Sequence, residues 1–416
     1  HMPSEVLPIQ VKQNKSVVGK ISLSNFPTGA RSGYGQGLQS QFEINVQNSQ
    51  QLLLSSCAIC AKAKLTAGPA ANKYVLFRGG QTAVTSLTVS LDNKKLVDIQ
   101  NHADKVADFN LISSSTYDEL DQAYGTMGFE RNMKLDDEIT IRIDLKKYGL
   151  DIGNLIPTGT IGSILTISGT FNNVALTQFG KGTTDVADDN VEPTDAIRLV
   201  YNDIRLESEF VELQPMLLNK RIEKIKSSSG LTIPFHTFAV DARNLAPVPT
   251  FNERIALSYN NVVSLYQLPY NQEKGKNYYK DIVWNAGITM DKISDYYVKF
   301  DGGQYYNLNS NVGQSGYASH AQALIDATRS EFTQSGHAAG IIKLMDKYQV
   351  LACNFVRSNN VLSPSITDSG VNARLQSGII GTEARFEGNI GAKQLITIVK
   401  FTRRIVFKNG SMDVFS

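Results

Sequence analysis

The chain has 416 residues, 42% of them hydrophobic, which is too long for one ordinary sandwich and suits two domains of roughly 200 residues each. Lys and Arg total 41 against 39 Asp and Glu, a net charge of +2, and that balance excludes a dedicated nucleic-acid binder resting on a basic surface. Three cysteines give no disulfide framework, and no run of about 18 apolar residues exists to cross a bilayer as a helix.

The opening HMPSEVLPIQ lacks the basic region and apolar core of a signal peptide, with His1-Met2 read as a cloning remnant. The expectation is folding in a reducing compartment, without secretion through a signal peptide. The dominant pattern along the chain is period two. Ser86 to Leu91 alternates polar and apolar residues, and Glu138 to Leu145 (EITIRIDL) does the same. Such alternation predicts strands with one face on a core. Between these two runs, Ser115 to Tyr124 has a cap residue and helical spacing. Ser163 to Phe171 is a further strand. Arg198 to Leu213 reads as strand with a break near Asn202-Asp203.

Gln214 to Ile225 (QPMLLNKRIEKI) predicts a helix, with Pro215 where a first turn tolerates it. Its polar, charged character suits a connector on a surface, and Lys226 to Gly230 follows as a polar break. The division expected from this midpoint is 1–213, a helical linker 214–230, and 231–416. In the second half Tyr317 to Phe332 (YASHAQALIDATRSEF) is the clearest helix. Gln394 to Phe401 and Arg404 to Phe407 are strands flanking a bend, and Lys408-Asn409-Gly410-Ser411 offers a hairpin turn. The halves echo each other in element order. Strand and turn (Ser86 to Lys94, then Asp295 to Gly303) lead through a loop to a helix and back to strands. Many short strands with Gly- and Asn-rich turns predict an all-β fold of sandwiches or jelly rolls.

Chemistry-bearing motifs fail on spacing. Cys57-Ala-Ile-Cys60 has metal or redox spacing, but a structural zinc site needs four ligands and only Cys353 remains. On a strand the two thiols point to opposite faces, which reads as two small buried residues. His102, His236, His320 and His337 are scattered, with no two at metal spacing. Gly33-Tyr-Gly-Gln-Gly37 lacks the third glycine and the following helix of a dinucleotide loop, and Gly180 to Thr184 lacks Walker spacing. Asp185 to Asn190 (DVADDN) lacks an EF-hand's spacing and turn glycine, and Asp136-Asp137 reads as a solvated strand start. The expectation is therefore no catalytic, cofactor-binding or metal site, and no enzyme.

Several stretches carry a family resemblance. Leu76-Phe-Arg-Gly-Gly80 precedes the strand Leu87 to Leu91 and its Asp92-Asn93 turn. The Tyr117/Tyr124 helix, the strand Glu138 to Leu145, Leu155-Ile-Pro157 and a further long strand come next. Ile204 to Leu213 looks like the last strand of a first roll. Ile282 to Met290, Ile293 to Phe300, Gly302-Gly303 and Tyr305 to Leu308 repeat the order in the second half. Phe355 to Ser358, Ser369 to Asn372, Ala384 to Glu387 and Leu395 to Val399 follow. In order and texture the chain resembles the double jelly-roll major capsid proteins of the adenovirus hexon, tailless membrane-containing phage, polinton-like and large nucleocytoplasmic DNA virus lineage. The resemblance implies two tandem eight-stranded jelly rolls with a few short helices in loops and at the linker. It implies a homotrimer, six rolls in a pseudo-hexameric capsomer, that tiles an icosahedral shell in the virion. It further implies minor capsid or penton proteins as partners and an internal membrane beneath the shell, without sequence-specific nucleic-acid binding. A carbohydrate-binding or adhesive β-sandwich is the alternative, kept open by Tyr278-Tyr279, Tyr296-Tyr297 and Tyr305-Tyr306.

Overall fold

The structure is a computed structural model that describes residues 17–115, 117–150, 152, 154–174, 177–246, 248–271, 292–300, 303–309, 327, 351–355, 379–387 and 393–416. The alternating runs become strands with one face inward. Gln41–Val46 buries Phe42, Ile44 and Val46, and Glu138–Asp144 buries Ile139, Ile141 and Ile143, with exposed or half-buried residues between them.

The first half comprises β1 (Val17–Asn25), β2 (Tyr34–Gly35), β3 (Gln41–Val46), β4 (Gln51–Ala67), β5 (Val75–Phe77), β6 (Val84–Leu91) and β7 (Lys94–Ile99). It continues with α1 (Ala103–Ser114), α2 (Tyr117–Met127), β8 (Arg131–Met133), β9 (Glu138–Asp144), β10 (Leu155–Ile156), α3 (Thr158–Ile161), β11 (Leu165–Phe171), β12 (Phe179–Lys181) and β13 (Arg198–Leu213). One sheet runs β1-β13-β4-β10, with β9 also on β4 and β2 on β13. The facing sheet runs β3-β11-β6-β7, and β12-β5-β8 form a small third sheet.

After α4 (Pro215–Lys226) come β14 (Leu231–Leu245), β15 (Thr250–Ala256), β16 (Val262–Asn271), β17 (Lys292–Phe300) and β18 (Gly303–Asn309). β19 (Leu351–Asn354), β20 (Ile379–Glu387), β21 (Lys393–Lys408) and β22 (Ser411–Phe415) complete the chain. Here the sheets are β14-β21-β16-β19, with β22 on β21, and β15-β20-β17-β18. The order is the same in both halves. The first strand lies beside the last long one (β1 on β13, β14 on β21), and β3 lies beside β11 as β15 lies beside β20. That wrapping, antiparallel throughout these pairs, is a jelly roll.

Two expected interruptions are absent. β13 runs through Asn202-Asp203 as a bulge: its register on β4 jumps from Asn202↔Lys62 to Arg205↔Cys60, with Asp203 at φ 52°. β21 likewise passes the expected bend between Phe401 and Arg404 as one strand of sixteen residues, because β14 pairs with it without a break. The turns were legible. Asp92-Asn93 and Asn409-Gly410 each place both central residues at positive φ, the geometry that tightens two-residue hairpins.

The Ser115–Tyr124 helix appears as Tyr117–Met127, and the connector appears as α4 with Pro215 in its first turn. α1 was not anticipated. All of its described side chains are buried, Asp104, Lys105, Asp108 and Asn110 among them, so it has no polar stripe to betray a helical period. Of the expected Tyr317–Phe332 helix only Ala327 is described, and it is helical. Tyr278-Tyr279, the stretch Ile282 to Met290 and residues 356–378 lie outside the described residues.

Candidate functional site

The sequence motifs do not converge. Cys57 and Cys60 both sit on β4 and both are buried. Cys57 faces the core with Ile59 and Ala61, while Cys60 lies on the outer side near Arg142, Arg205 and Glu207. Burial pushes both thiols up from 9.0 to about 12, and Glu207 adds to the shift at Cys60. A thiol kept neutral by the fold contributes stability that is complete below its unfolded pKa. We therefore expect stability to hold to about pH 9 and to fall steadily between pH 9 and about 12. Denaturation midpoints across that range, with Cys57→Ala/Cys60→Ala as reference, check it. A parallel loss in the reference would refute the assignment to these thiols.

His102 precedes α1 in a left-handed conformation, its pKa lowered by burial, and His236 is on β14; His320 and His337 are outside the described residues. Gly33 to Gly37 forms a loop whose middle pairs with Val200 and Tyr201. A Cβ at Gly35 would sit 2.3 Å from the Leu199 carbonyl oxygen, so close strand approach explains that glycine. In 185–190, Asp189 meets Lys73 at 3.6 Å and Asn190 Oδ1 accepts from the Thr184 backbone N–H and hydroxyl. Asp136 is exposed and faces Lys64, and Asp137 accepts from the Lys134 N–H. Gly180 and Lys181 belong to β12. Tyr296 is a core residue that donates to Gln267 Oε1 at 3.0 Å, and Gln267 donates to Thr382 and Thr397 across the second roll. Among the described residues no group of three or more His, Cys, Asp or Glu could hold a metal.

What the fold does build is a buried ionic anchor. Arg78, in the stretch Leu76–Gly80, is 3% exposed. Its guanidinium reaches Asp108 of α1 at 3.4 Å and Glu130 at 3.5 Å. Gln81 donates to the same Asp108 carboxylate at 3.0 Å, and Tyr148 donates to the Gln81 carbonyl at 3.1 Å. Two residues further along the helix Asn110 donates to the Lys147 carbonyl, and Lys147 donates to the Ser115 hydroxyl just past the helix end. Charges this deep persist only when paired and hydrogen-bonded, so the cluster fixes where α1 lies.

From that position α1 reaches the second half. Phe109 packs on Tyr266 of β16, with ring centroids 4.7 Å apart and planes tilted by 51°. The Tyr266 hydroxyl donates to the Ala327 carbonyl at 2.7 Å, and Ser264 donates to the same oxygen at 2.9 Å. Beside this contact, Arg403 of β21 donates to the Lys95 and Leu96 carbonyls of β7 at 2.8 and 3.0 Å. Lys94 pairs with Asp413 at 2.9 Å. Gly149, at φ +90°, leaves room where a Cβ would lie 2.8 Å from Phe238 Cδ2 and 3.1 Å from Thr237 Cα. One hydrophobic core accordingly continues from the first half into Phe235, Phe238, Tyr266, Ile396 and Ile398. A second core of Phe251, Ile255, Leu265, Tyr296 and Val399 belongs to the second half alone. The two halves are locked side by side.

Solved structures share this arrangement. PBCV-1 VP54, as fitted into a cryo-EM reconstruction of the virophage Sputnik, is 9% identical, with 95% of this chain and 96% of that one covered at a TM-score of 0.62. The Faustovirus major capsid protein is 9% identical over 94% of this chain and 91% of its own, at 0.56. The mavirus major capsid protein is 9% identical over 94% and 89%, at 0.52. The fold is the double jelly roll. No family model and no curated protein matches the sequence. The double jelly roll here was legible in the order of strands and helices, whereas the anchor and the seam were not, since their residues are far apart in the chain.

Proposed function

We propose that this chain is the structural building block of a viral shell, a major capsid protein whose two rolls are residues 1–213 and 231–416 joined by the linker 214–230. Three copies would set six rolls in a pseudo-hexameric capsomer that tiles an icosahedral shell. The observation that carries the reading is the repetition of one strand order in two rolls fused side by side through Phe109, Tyr266 and Arg403. The 9%-identical Faustovirus and mavirus major capsid proteins have that same fold along nearly the whole chain. The role is structural and not catalytic, and the place is the virion. Minor capsid or penton proteins are further partners on this reading, which also leaves room for an internal membrane beneath the shell.

Sedimentation equilibrium tests it. The expected species has three times the 45.7 kDa chain mass. A strict monomer at working concentration that binds glycans would favour an adhesive sandwich instead.

A further inference from the structure

Asn409 is the only asparagine of the chain that is followed by glycine. The pair forms the tip of the hairpin between β21 and β22, with φ 53° at Asn409 and 74° at Gly410. Lys408 pairs with Ser411 across the tip, so the loop is the two-residue kind that Asn-Gly closes well. Every residue from Lys408 to Ser411 is exposed. The Ser411 hydroxyl donates to the Lys408 carbonyl at 2.8 Å, and no hydrogen bond among the described residues engages the Asn409 amide. Asn48 is the contrast: Ser49 follows it, and its Oδ1 accepts the Gln50 backbone N–H at 2.9 Å.

The same tip ties down the linker. The Asn409 N–H donates to the Ser227 carbonyl at 3.5 Å, and the Gly410 N–H donates to the Ile225 carbonyl at 3.3 Å. Ile225 is the buried residue of α4. Gly230, at φ +65°, lets the returning chain close on the hairpin, where a Cβ would lie 2.6 Å from the Phe407 carbonyl oxygen. Long bonds at an exposed loop tip near a chain end belong to the part of a fold that opens most readily.

We propose that Asn409 is a site of self-modification, converting to isoaspartate and aspartate through a cyclic imide, and that the conversion releases the linker from the hairpin. When the tip opens, the Gly410 backbone nitrogen attacks Asn409 Cγ. That C–N bond forms as the bond from Cγ to the side-chain amide nitrogen breaks, and the Gly410 proton leaves with that nitrogen as ammonia. Glycine has no Cβ to crowd the attacking atom. Water then opens the imide. Cleavage at the main-chain carbonyl leaves isoaspartate, whose main chain runs through the β-carbon, and cleavage at the side-chain carbonyl leaves aspartate. Isoaspartate lengthens a two-residue turn by one methylene, so the Lys408–Ser411 pairing and the Gly410–Ile225 bond no longer fit together. The new carboxylate sits beside the last turn of α4, where the helix carbonyls repel it and Lys224 and Lys226 attract it. The longer main chain therefore decides the direction. The proposal does not rest on the capsomer reading.

Ageing the full chain in warm, mildly alkaline buffer tests it. Peptide mapping reads the amide-to-acid mass gain, and an isoaspartate methyltransferase with a labelled methyl donor counts isoaspartate. Label is expected in the peptide that holds residue 409 ahead of the one that holds Asn48. It is expected to enter more slowly than in the chain unfolded in urea, because the closed turn keeps the Gly410 N–H on the Ile225 carbonyl. Asn409→Gly keeps the turn type without a side-chain amide and is expected to take up no label there. Amide exchange in 225–230 is expected to rise with isoaspartate content in aged wild type and to stay at its fresh level in aged Asn409→Gly. An Asn409 that stays intact in the folded chain while the unfolded chain converts would overturn the site. Conversion with unchanged exchange in 225–230 would overturn the release of the linker.

Discussion

Arg78→Met should destabilise the protein by about 3–5 kcal/mol, the range found when one partner of a buried ion pair is removed. Arg78 and Asp108 are each 3% exposed, and methionine keeps much of the volume while withdrawing the charge. Asp108 would lose the guanidinium that balances its charge, and a carboxylate held away from water without a cation is costly. The damage should start locally. Amide exchange in 103–127 should rise before exchange in β4 or β13, because α1 is held by this cluster and by Lys147. Arg78→Met/Asp108→Leu should recover most of the loss, since both charges of the buried pair go together, Glu130 is partly exposed and Gln81 keeps its bond to the residue 78 carbonyl. Urea denaturation of the two variants decides the point. A single variant within about 1 kcal/mol of wild type would mean that the pair does not anchor the helix.

Tyr266→Ala should cost a further large amount, about 3–5 kcal/mol for an emptied aromatic site in a core. The ring is 1% exposed, it packs on Phe109, and its hydroxyl is one of two donors on the Ala327 carbonyl. Tyr266→Phe separates the terms. It keeps the ring contact and should lose only about 0.5–1.5 kcal/mol for the hydrogen bond. The site lies where the two rolls meet, so calorimetry should show the alanine variant unfolding in two steps where wild type unfolds in one. A single sharp transition in the alanine variant would show that Arg403 and the Lys94–Asp413 pair suffice to couple the rolls.

The strands were legible because a sheet with one wet face writes its period into the sequence, as in Glu138–Asp144. The hairpin turns were legible because Asp92-Asn93 and Asn409-Gly410 are residue pairs that accept positive φ. α1 was not, because a helix covered on all sides by both rolls has no polar stripe. The bulge at Asp203 looked like a strand end for a related reason: a polar pair inside a strand signals a break whether the chain leaves the sheet or only kinks within it. The anchor and the seam join residues such as Arg78 and Asp108, or Phe109 and Tyr266, whose meeting depends on the roll closing first. The structure places Cys57 and Cys60 on opposite sides of β4, as their spacing on a strand requires.

Electron-microscopic class averages of the purified, unlabelled protein decide whether three chains set six rolls in one block. Pseudo-hexagonal particles with three-fold symmetry, built from six lobes of near-equal size, are the expected result. Two-lobed particles at every concentration, or rings with any other number of subunits, would rule the block out.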